Sequence, residues 1–459
     1  MPASVRNTRA AVVAVLGLAA LAACSRKPNN HDSSTAAPVA NSNSAAAAAA
    51  AAHCAGDNGG LTLPAGFCAT VFADNLGHTR HIAVAPNGDV YVNSWPVYGG
   101  VGGSAIAGGF LIALRDTNRD GRAEIVQRWG PGAGRVRGGT GIGVHAGYVY
   151  AEAGTEIVRY QIPPGGLAPT AAAQVIVSDL PTGGDHPMHP FAIDSGGHMF
   201  VDMGSATNSC QARNRTTGTP GQRPCTELLT RGGVWLYDAN VTGQRFSPEQ
   251  RFATGIRNAV GIAIGPDGQP YSTQHGRDQL AENWPKLYTS AEGQNLPAEE
   301  LLALKRGADY GWPYCYFDGS KGELVLAPEY GGNGTTVGDC ASKTAPIAWF
   351  PAHWAPDGLV FYTGTSFPAE YRGGAFIAFH GSWNRAPGPQ GGYNVVFQPF
   401  ANGKPSGQYR VFADGFAGPA KEPGRAEHRP AGVAVGPDGA LYVTDDVAGR
   451  IWRITWAGR

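Results

Sequence analysis

Six short segments combine histidine, arginine and asparagine in a way that suits proton transfer beside an anionic ligand. They are HTRH with Arg80, GGDHPMHP with His186 and His189, GIRN with Arg257 and Asn258, QHGRD with His275, Gly276 and Arg277, AFHGSWNR with His380, Trp383, Asn384 and Arg385, and EHRP with His428 and Arg429. A histidine with an unperturbed pKa near ~6.5 can take a hydroxyl proton at neutral pH. An arginine fork holds a carboxylate through two parallel hydrogen bonds without a covalent link. Singly, each of these side chains is as well explained by satisfying loop carbonyls or bridging neighbouring elements. Together they read as a ring of cations and histidines around a polyanionic ligand.

The segments flank a recurring phrase: an apolar strand, a Pro-Asp-Gly or related turn, and a second strand of alternating Tyr and Val. It reads HIAVAPNGDVYVNS at 81–94, PFAIDSGGHMFVDM at 190–203, GIAIGPDGQPYSTQ at 261–274 and GVAVGPDGALYVTD at 432–445, with weaker copies GIGVHAGYVYAEAG at 141–154 and HWAPDGLVFYTGTS at 353–366. Asn-Gly and Asp-Gly tolerate the positive φ of tight turns, so each copy predicts a β-hairpin. Further strands follow in EIVRYQI (156–162), GGVWLYDA (232–239) and RIWRITW (450–456). Six units of roughly 65 residues each fit an all-β, six-bladed β-propeller, which also removes long exposed sheet edges. A β-sandwich is the alternative, but recurrence along the whole chain favours the ring. One short helix is predicted at Pro297–Lys305, with Pro at its start and Gly307 beyond its end, in an insertion outside the core.

The N-terminal region is expected to stand apart from the fold. Arg6 and Arg9 precede an apolar stretch from Ala10 to Ala20, too short to read as a membrane span, and Leu21-Ala22-Ala23-Cys24 resembles a lipobox. Residues 1–24 thus read as a lipoprotein signal peptide with Cys24 the lipidated residue, 25–58 as a low-complexity tether, and 59–459 as the propeller. The expected location is the periplasm, anchored by lipid to the bacterial outer membrane. Setting Cys24 aside, the 7 cysteines leave an even set. Their short separations suggest Cys54–Cys68, Cys210–Cys225 and Cys315–Cys340 among fifteen arithmetic pairings, in an oxidising compartment. No Cys-x-x-Cys-His occurs, so electrons from any redox step must leave to a separate carrier. Lys+Arg and Asp+Glu are both 35, which gives no argument for a nucleic-acid partner.

From about Leu61 to Trp456 the chain resembles the sorbosone dehydrogenase family, relatives of the soluble pyrroloquinoline quinone (PQQ) glucose dehydrogenases. The segments LPAGFCATVFADNL, GIRNAVGIAIGPDG, YGWPYCY, FYTGTSFP, HGSWNR and RPAGVAVGPDGALYVTDD carry the likeness. The resemblance implies PQQ held non-covalently over the channel, with calcium bridging the cofactor and backbone carbonyls. It implies a histidine base just before the third inner strand, His186 or its rival His189. It also implies Arg257 and Asn258 at the quinone carbonyls, a cofactor turn at His275 with Gly276 and Arg277 offering backbone oxygens to calcium, and Arg385 and Arg429 on PQQ carboxylates. The activity implied is oxidation of a sugar or related alcohol or aldehyde by hydride transfer to PQQ, electrons passing to a separate cytochrome or quinone. A cation at the quinone carbonyl makes the neighbouring carbon a better hydride acceptor.

DTNRDGRAE places Asp116, Asn118, Asp120 and Glu124 around Gly121, like the first half of a calcium loop, and is equally readable as a charged hairpin turn. Two rival functions remain: a calcium-dependent lactonase-type hydrolase, which an arginine-rich ring suits poorly, and a non-catalytic carbohydrate-binding propeller using the HGSWNR aromatic as a platform.

Overall fold

The computed structural model describes residues 54, 56–95, 108–130, 138–385 and 387–458. Cys24 and the signal and tether segments up to residue 53 lie outside the described residues.

Six sheets, antiparallel but for one edge pair in which Gln244–Arg245 runs parallel to Gln174–Ser178, follow one another along the chain. Their innermost strands are His78–Val84, Gly138–His145, Phe191–Ile193, Ile262–Ile264, Pro356–Phe361 and Pro430–Val435. Each packs against the next, and the sixth returns to the first, which closes a six-bladed ring. The sixth blade takes its outermost strand, Phe67–Ala73, from the other end of the described chain, in antiparallel register with Ile451–Trp456. The cores lie between blades: Phe376, Val395 and Phe412 of the fifth interleave with Phe67, Val443 and Trp452 of the sixth. Full burial of each such aromatic contributes roughly 2–3 kcal/mol, so neighbouring blades stabilise one another.

Five copies of the repeated phrase are the expected hairpins; in 261–274, for example, Gly268 turns the chain at φ +76°. The penultimate residue of the phrase has a second task. Asn93 Nδ2 donates to Gly141 O at 2.8 Å, Thr273 Oγ1 to Pro356 O at 2.7 Å and Thr444 Oγ1 to Arg80 O at 2.5 Å. Glu152, at the matching place in the second blade, accepts from the His189 amide at 2.9 Å. Each thereby ties its blade to the inner strand, or the residues leading into it, of the next.

Two expectations are corrected. Pro297–Lys305 is not helical: Glu299–Ala303 is the third strand of the fourth blade, hydrogen-bonded between Pro270–Gln274 and Ala348–Phe350. Leu301 and Leu302 are fully buried there, and burial with pairing on both sides outweighs the few tenths of a kcal/mol of helix preference per residue. Short helices occur instead at Leu280–Asn283 and at Ser290–Asn295, the latter opened by a Thr289/Glu292 capping box. In the fifth copy, Pro356-Asp357-Gly358 is not a turn but the beginning of the inner strand, whose partner is the later Ala375–Phe379. Asp357 is therefore buried in the ring.

In an up-and-down blade, the connections from second to third strand, and from fourth strand to the next blade, emerge on one face. The repeated turns occupy the other. His186, His189, Arg257, Asn258 and Arg429 lie on blade-to-blade connections, and Ser205, Asn208, His275–Asp278 and His380–Arg385 on second-to-third connections. One face of the ring thus collects nearly every candidate residue.

Candidate active site

Arg257 is the hub of that face. Its Nε donates to Asn208 O at 3.1 Å, Nη1 to Gly276 O at 3.0 Å, and Nη2 to Asn208 Oδ1 at 2.9 Å and Asp278 Oδ2 at 2.8 Å. Of five N–H donors, one on Nη1 remains. Asp278 also pairs with Arg215 at 3.0 Å and accepts from Asn384 Nδ2 at 2.9 Å. Burial works against its charge, but Arg257 and Arg215 outweigh it and hold Asp278 well below the usual carboxylate range. Neighbouring Asn258 is buried, and its carbonyl accepts from the His275 amide at 3.1 Å. The second-to-third connection supplying Asn208 is closed by Cys210–Cys225, and Trp312 Nε1 donates to Asn208 O at 3.1 Å. The other two expected disulfides, Cys54–Cys68 and Cys315–Cys340, are also formed.

The two histidines of GGDHPMHP have different surroundings. His186 Nδ1 lies 2.9 Å from Ser205 O and 2.9 Å from Ser205 Oγ. A carbonyl only accepts, so Nδ1 carries the hydrogen and Nε2 the lone pair; no hydrogen bond engages Nε2 among the described residues. Burial first, and the Arg257 cation second, push His186 well below the ordinary imidazole value, so it is neutral. His189 Nε2 donates to Pro181 O at 3.0 Å, while its Nδ1 faces Glu152 Oε1 at 3.4 Å. Both nitrogens of His189 thus face the scaffold between the second and third blades.

A second buried charge cluster joins four blades. Arg80 bridges Asp357 at 2.9 Å and Asp446 at 2.6 Å; His380 Nε2 lies 2.8 Å from Asp446 Oδ1, and His275 Nε2 3.2 Å from Asp357 Oδ1. Burial opposes the Asp357 charge, yet Arg80, His380 and His275 hold it well below the normal range. Burial alone would lower His275, but Asp357 raises it above the ordinary imidazole value. His428 pairs with Asp445 at 2.8 Å.

Most cations of the expected ring are already engaged within the protein. Arg80 is neutralised by Asp357 and Asp446, Arg257 by Asp278, and Arg277 by Glu329 at 2.5 Å. Arg385 is not presented as a carboxylate clamp: its guanidinium donates to Pro389 O, Gln294 O, Ala352 O and Asn295 Oδ1, tying the loop to its neighbours. Arg429 donates from Nε to His380 O at 3.0 Å and from Nη2 to Gly381 O at 2.7 Å, leaving its Nη1 without a hydrogen bond among the described residues. Gly276, expected to offer its carbonyl to a metal, gives it to Arg257 and its amide to Glu299 Oε2 at 2.8 Å.

Sequence reasoning missed Ser205, Asn208, Asp278, Asp357 and Asp446. Asp278 was legible as the acid closing QHGRD; Asp357 was hidden by its likeness to a turn. The 116–124 loop stands far from this constellation in the first blade's outer hairpin. Asp116 accepts from the amides of Arg119 and Gly121, Asn118 from Asp120, and Asp120 from Arg122, so these side chains close the turn themselves.

Fold and site together define a six-bladed propeller with a buried histidine, an arginine–asparagine pair and a compensated ion cluster gathered on one face. A family described as TrAA12-like matches residues 61–457, and the chain belongs to that family. A PQQ-dependent pyranose dehydrogenase of Coprinopsis cinerea is 28% identical over 235 residues, covering 44% of this chain and 30% of that protein. The chain spans between 30% and 48% of the length of the curated relatives it matches. Among solved structures, the calcium structure of a Trichoderma reesei enzyme of carbohydrate-active family AA12 superposes with a TM-score of 0.68 at 20% identity, over 86% of this chain and 97% of that one. The holo PQQ domain of the Coprinopsis cinerea pyranose dehydrogenase gives 0.67 at 20%, over 86% and 97%. At that identity the likeness is one of fold.

Proposed function

We propose that the protein is a PQQ-dependent dehydrogenase of sugars or related alcohols, sorbosone-type derivatives among them, with His186 as the proton acceptor. The observation that carries this reading is the neutral His186, its tautomer set by Ser205 and its Nε2 left for a proton, beside the Arg257–Asn258 pair. The residues present fit the cofactor: spare N–H groups on Arg257 and Arg429 suit an anionic quinone, and with Gly276 O taken by Arg257 the Arg277 carbonyl is the candidate for an accompanying calcium ion.

When bound, PQQ supplies the two-electron acceptor to which the substrate carbon's hydride passes. His186 Nε2 takes the hydroxyl proton as that hydride leaves, turning the alcohol into a carbonyl. Arg257 is held by Asn208 and Asp278 so that its remaining Nη1 hydrogen keeps one direction. Electrons leave to a cytochrome or quinone acceptor. Three disulfides support an oxidising compartment, in keeping with export and an anchor at Cys24.

The test mixes purified apo-protein with PQQ and calcium, then adds aldoses or polyols and an artificial electron acceptor. Dye reduction that requires PQQ is the expected result. Lactone hydrolysis without PQQ, or no turnover with any sugar, would overturn the reading.

A further inference from the structure

Among the described residues, Trp383 is the one exposed large aromatic side chain on the connections of the active face; the other large apolar groups exposed there, Leu229, Leu287 and Val447, are aliphatic. Its exposure is 52%, yet the loop around it is tightly held. Ser382 Oγ donates to Gln390 Oε1 at 2.6 Å, and the Ser382 amide to Gly391 O at 2.9 Å. Asn384 Nδ2 donates to Asp278 Oδ1, and Arg385 is tied to four oxygens. The indole itself makes no hydrogen bond and no ring contact among the described residues. Trp349, exposed elsewhere, differs on both counts: its Nε1 donates to Gly319 O at 3.1 Å and its ring packs on Phe317. The constrained loop holds the backbone beneath an indole that is half exposed. The position is close to the chemistry, because Asn384, the next residue, touches Asp278, and Asp278 touches Arg257 at 2.8 Å.

We propose that Trp383 is a specificity residue, a platform on which the apolar C–H face of a cyclic sugar stacks while a ring hydroxyl reaches His186. The inference rests on the sugar-oxidation reading and adds the substrate's shape: a ring presents a flat C–H face that an extended polyol lacks. Ser382 and Asn384 hold the platform, and the indole contributes area and little entropy loss, since its loop is already ordered.

The experiment compares full-length wild type, Trp383→Ala and Trp383→Phe, each reconstituted with PQQ and calcium. A hexopyranose and its open-chain alditol are the substrates. Trp383→Ala should raise KM for the pyranose about tenfold, with Trp383→Phe recovering part of the loss. The KM for the alditol, the affinity for PQQ and the melting temperature should be unchanged. Calorimetric titration of the pyranose into each protein reads the same contact without turnover. An unaltered pyranose affinity in Trp383→Ala, an equal penalty for the alditol, or no pyranose binding to the wild type overturns the proposal. Failure of the dehydrogenase reading looks different: wild type reduces no dye, while the calorimetric difference between wild type and Trp383→Ala persists.

Discussion

His186 Nδ1 lies 2.9 Å from the backbone carbonyl of Ser205, and that contact decides which ring nitrogen holds the lone pair. Ser205 Oγ also touches the ring nitrogen, but it donates its own hydrogen to Thr207 O at 2.6 Å, so it too acts as an acceptor toward the imidazole. The ring is oriented mainly by main chain, which a side-chain substitution leaves in place.

Replacing His186 with Ala should therefore lower kcat about a thousandfold while PQQ binding persists. Ser205→Ala should cost only about fivefold, because the carbonyl remains. Steady-state kinetics with a parallel PQQ titration checks both, and unchanged turnover in His186→Ala would remove it as the base. The neutral His186 also places the acid limb of the pH profile below the ordinary imidazole value.

Asp278 compensates Arg257 and Arg215 at once. Asp278→Asn keeps the shape but leaves two cations facing a neutral amide. Stability should fall by about 2–4 kcal/mol, and PQQ affinity with it, since Arg257 loses its anchor. Urea denaturation and cofactor titration are the measurements.

Breaking Cys210–Cys225 by a double Ala substitution releases the connection that carries Ser205 and Asn208. For a closed loop of 15 residues the loss is about 3 kcal/mol, and activity should fall more than with removal of Cys54–Cys68, which lies away from the site. Equal activity in the two variants would separate the disulfide from site positioning.

His81 donates from Nε2 to Asp357 O at 2.7 Å, and burial, aided by Arg80, pushes it down to about 4. Its folded value lies below the unfolded value near ~6.5, so between those limits the unfolded chain binds the extra proton. Stability should decline by up to about 3 kcal/mol as pH falls from about 6.5 to about 4. His81→Gln keeps a donor for Asp357 O and should flatten that slope in thermal melts.

The sequence alone determined what local chemistry can encode. Gly and Asn in turn positions marked five hairpins, short separations picked the three disulfides, and polar residues flanking the repeated phrase marked the active face. Tertiary structure decided whatever depends on distant partners. Arg80 meets Asp357 across 277 residues and Asp446 across 366, so no local pattern could show that the cations are already compensated. His186 and its rival His189 stand three residues apart, and only the fold shows that His186 Nδ1 meets Ser205 O while both nitrogens of His189 face scaffold groups, Pro181 O and Glu152. Glu299–Ala303 carries helix-forming residues, yet strands on both sides and a buried face make it extended. Turns and disulfide spacing are properties of neighbouring residues; charge balance, tautomer and strand pairing belong to groups that only the closing of the ring brings together.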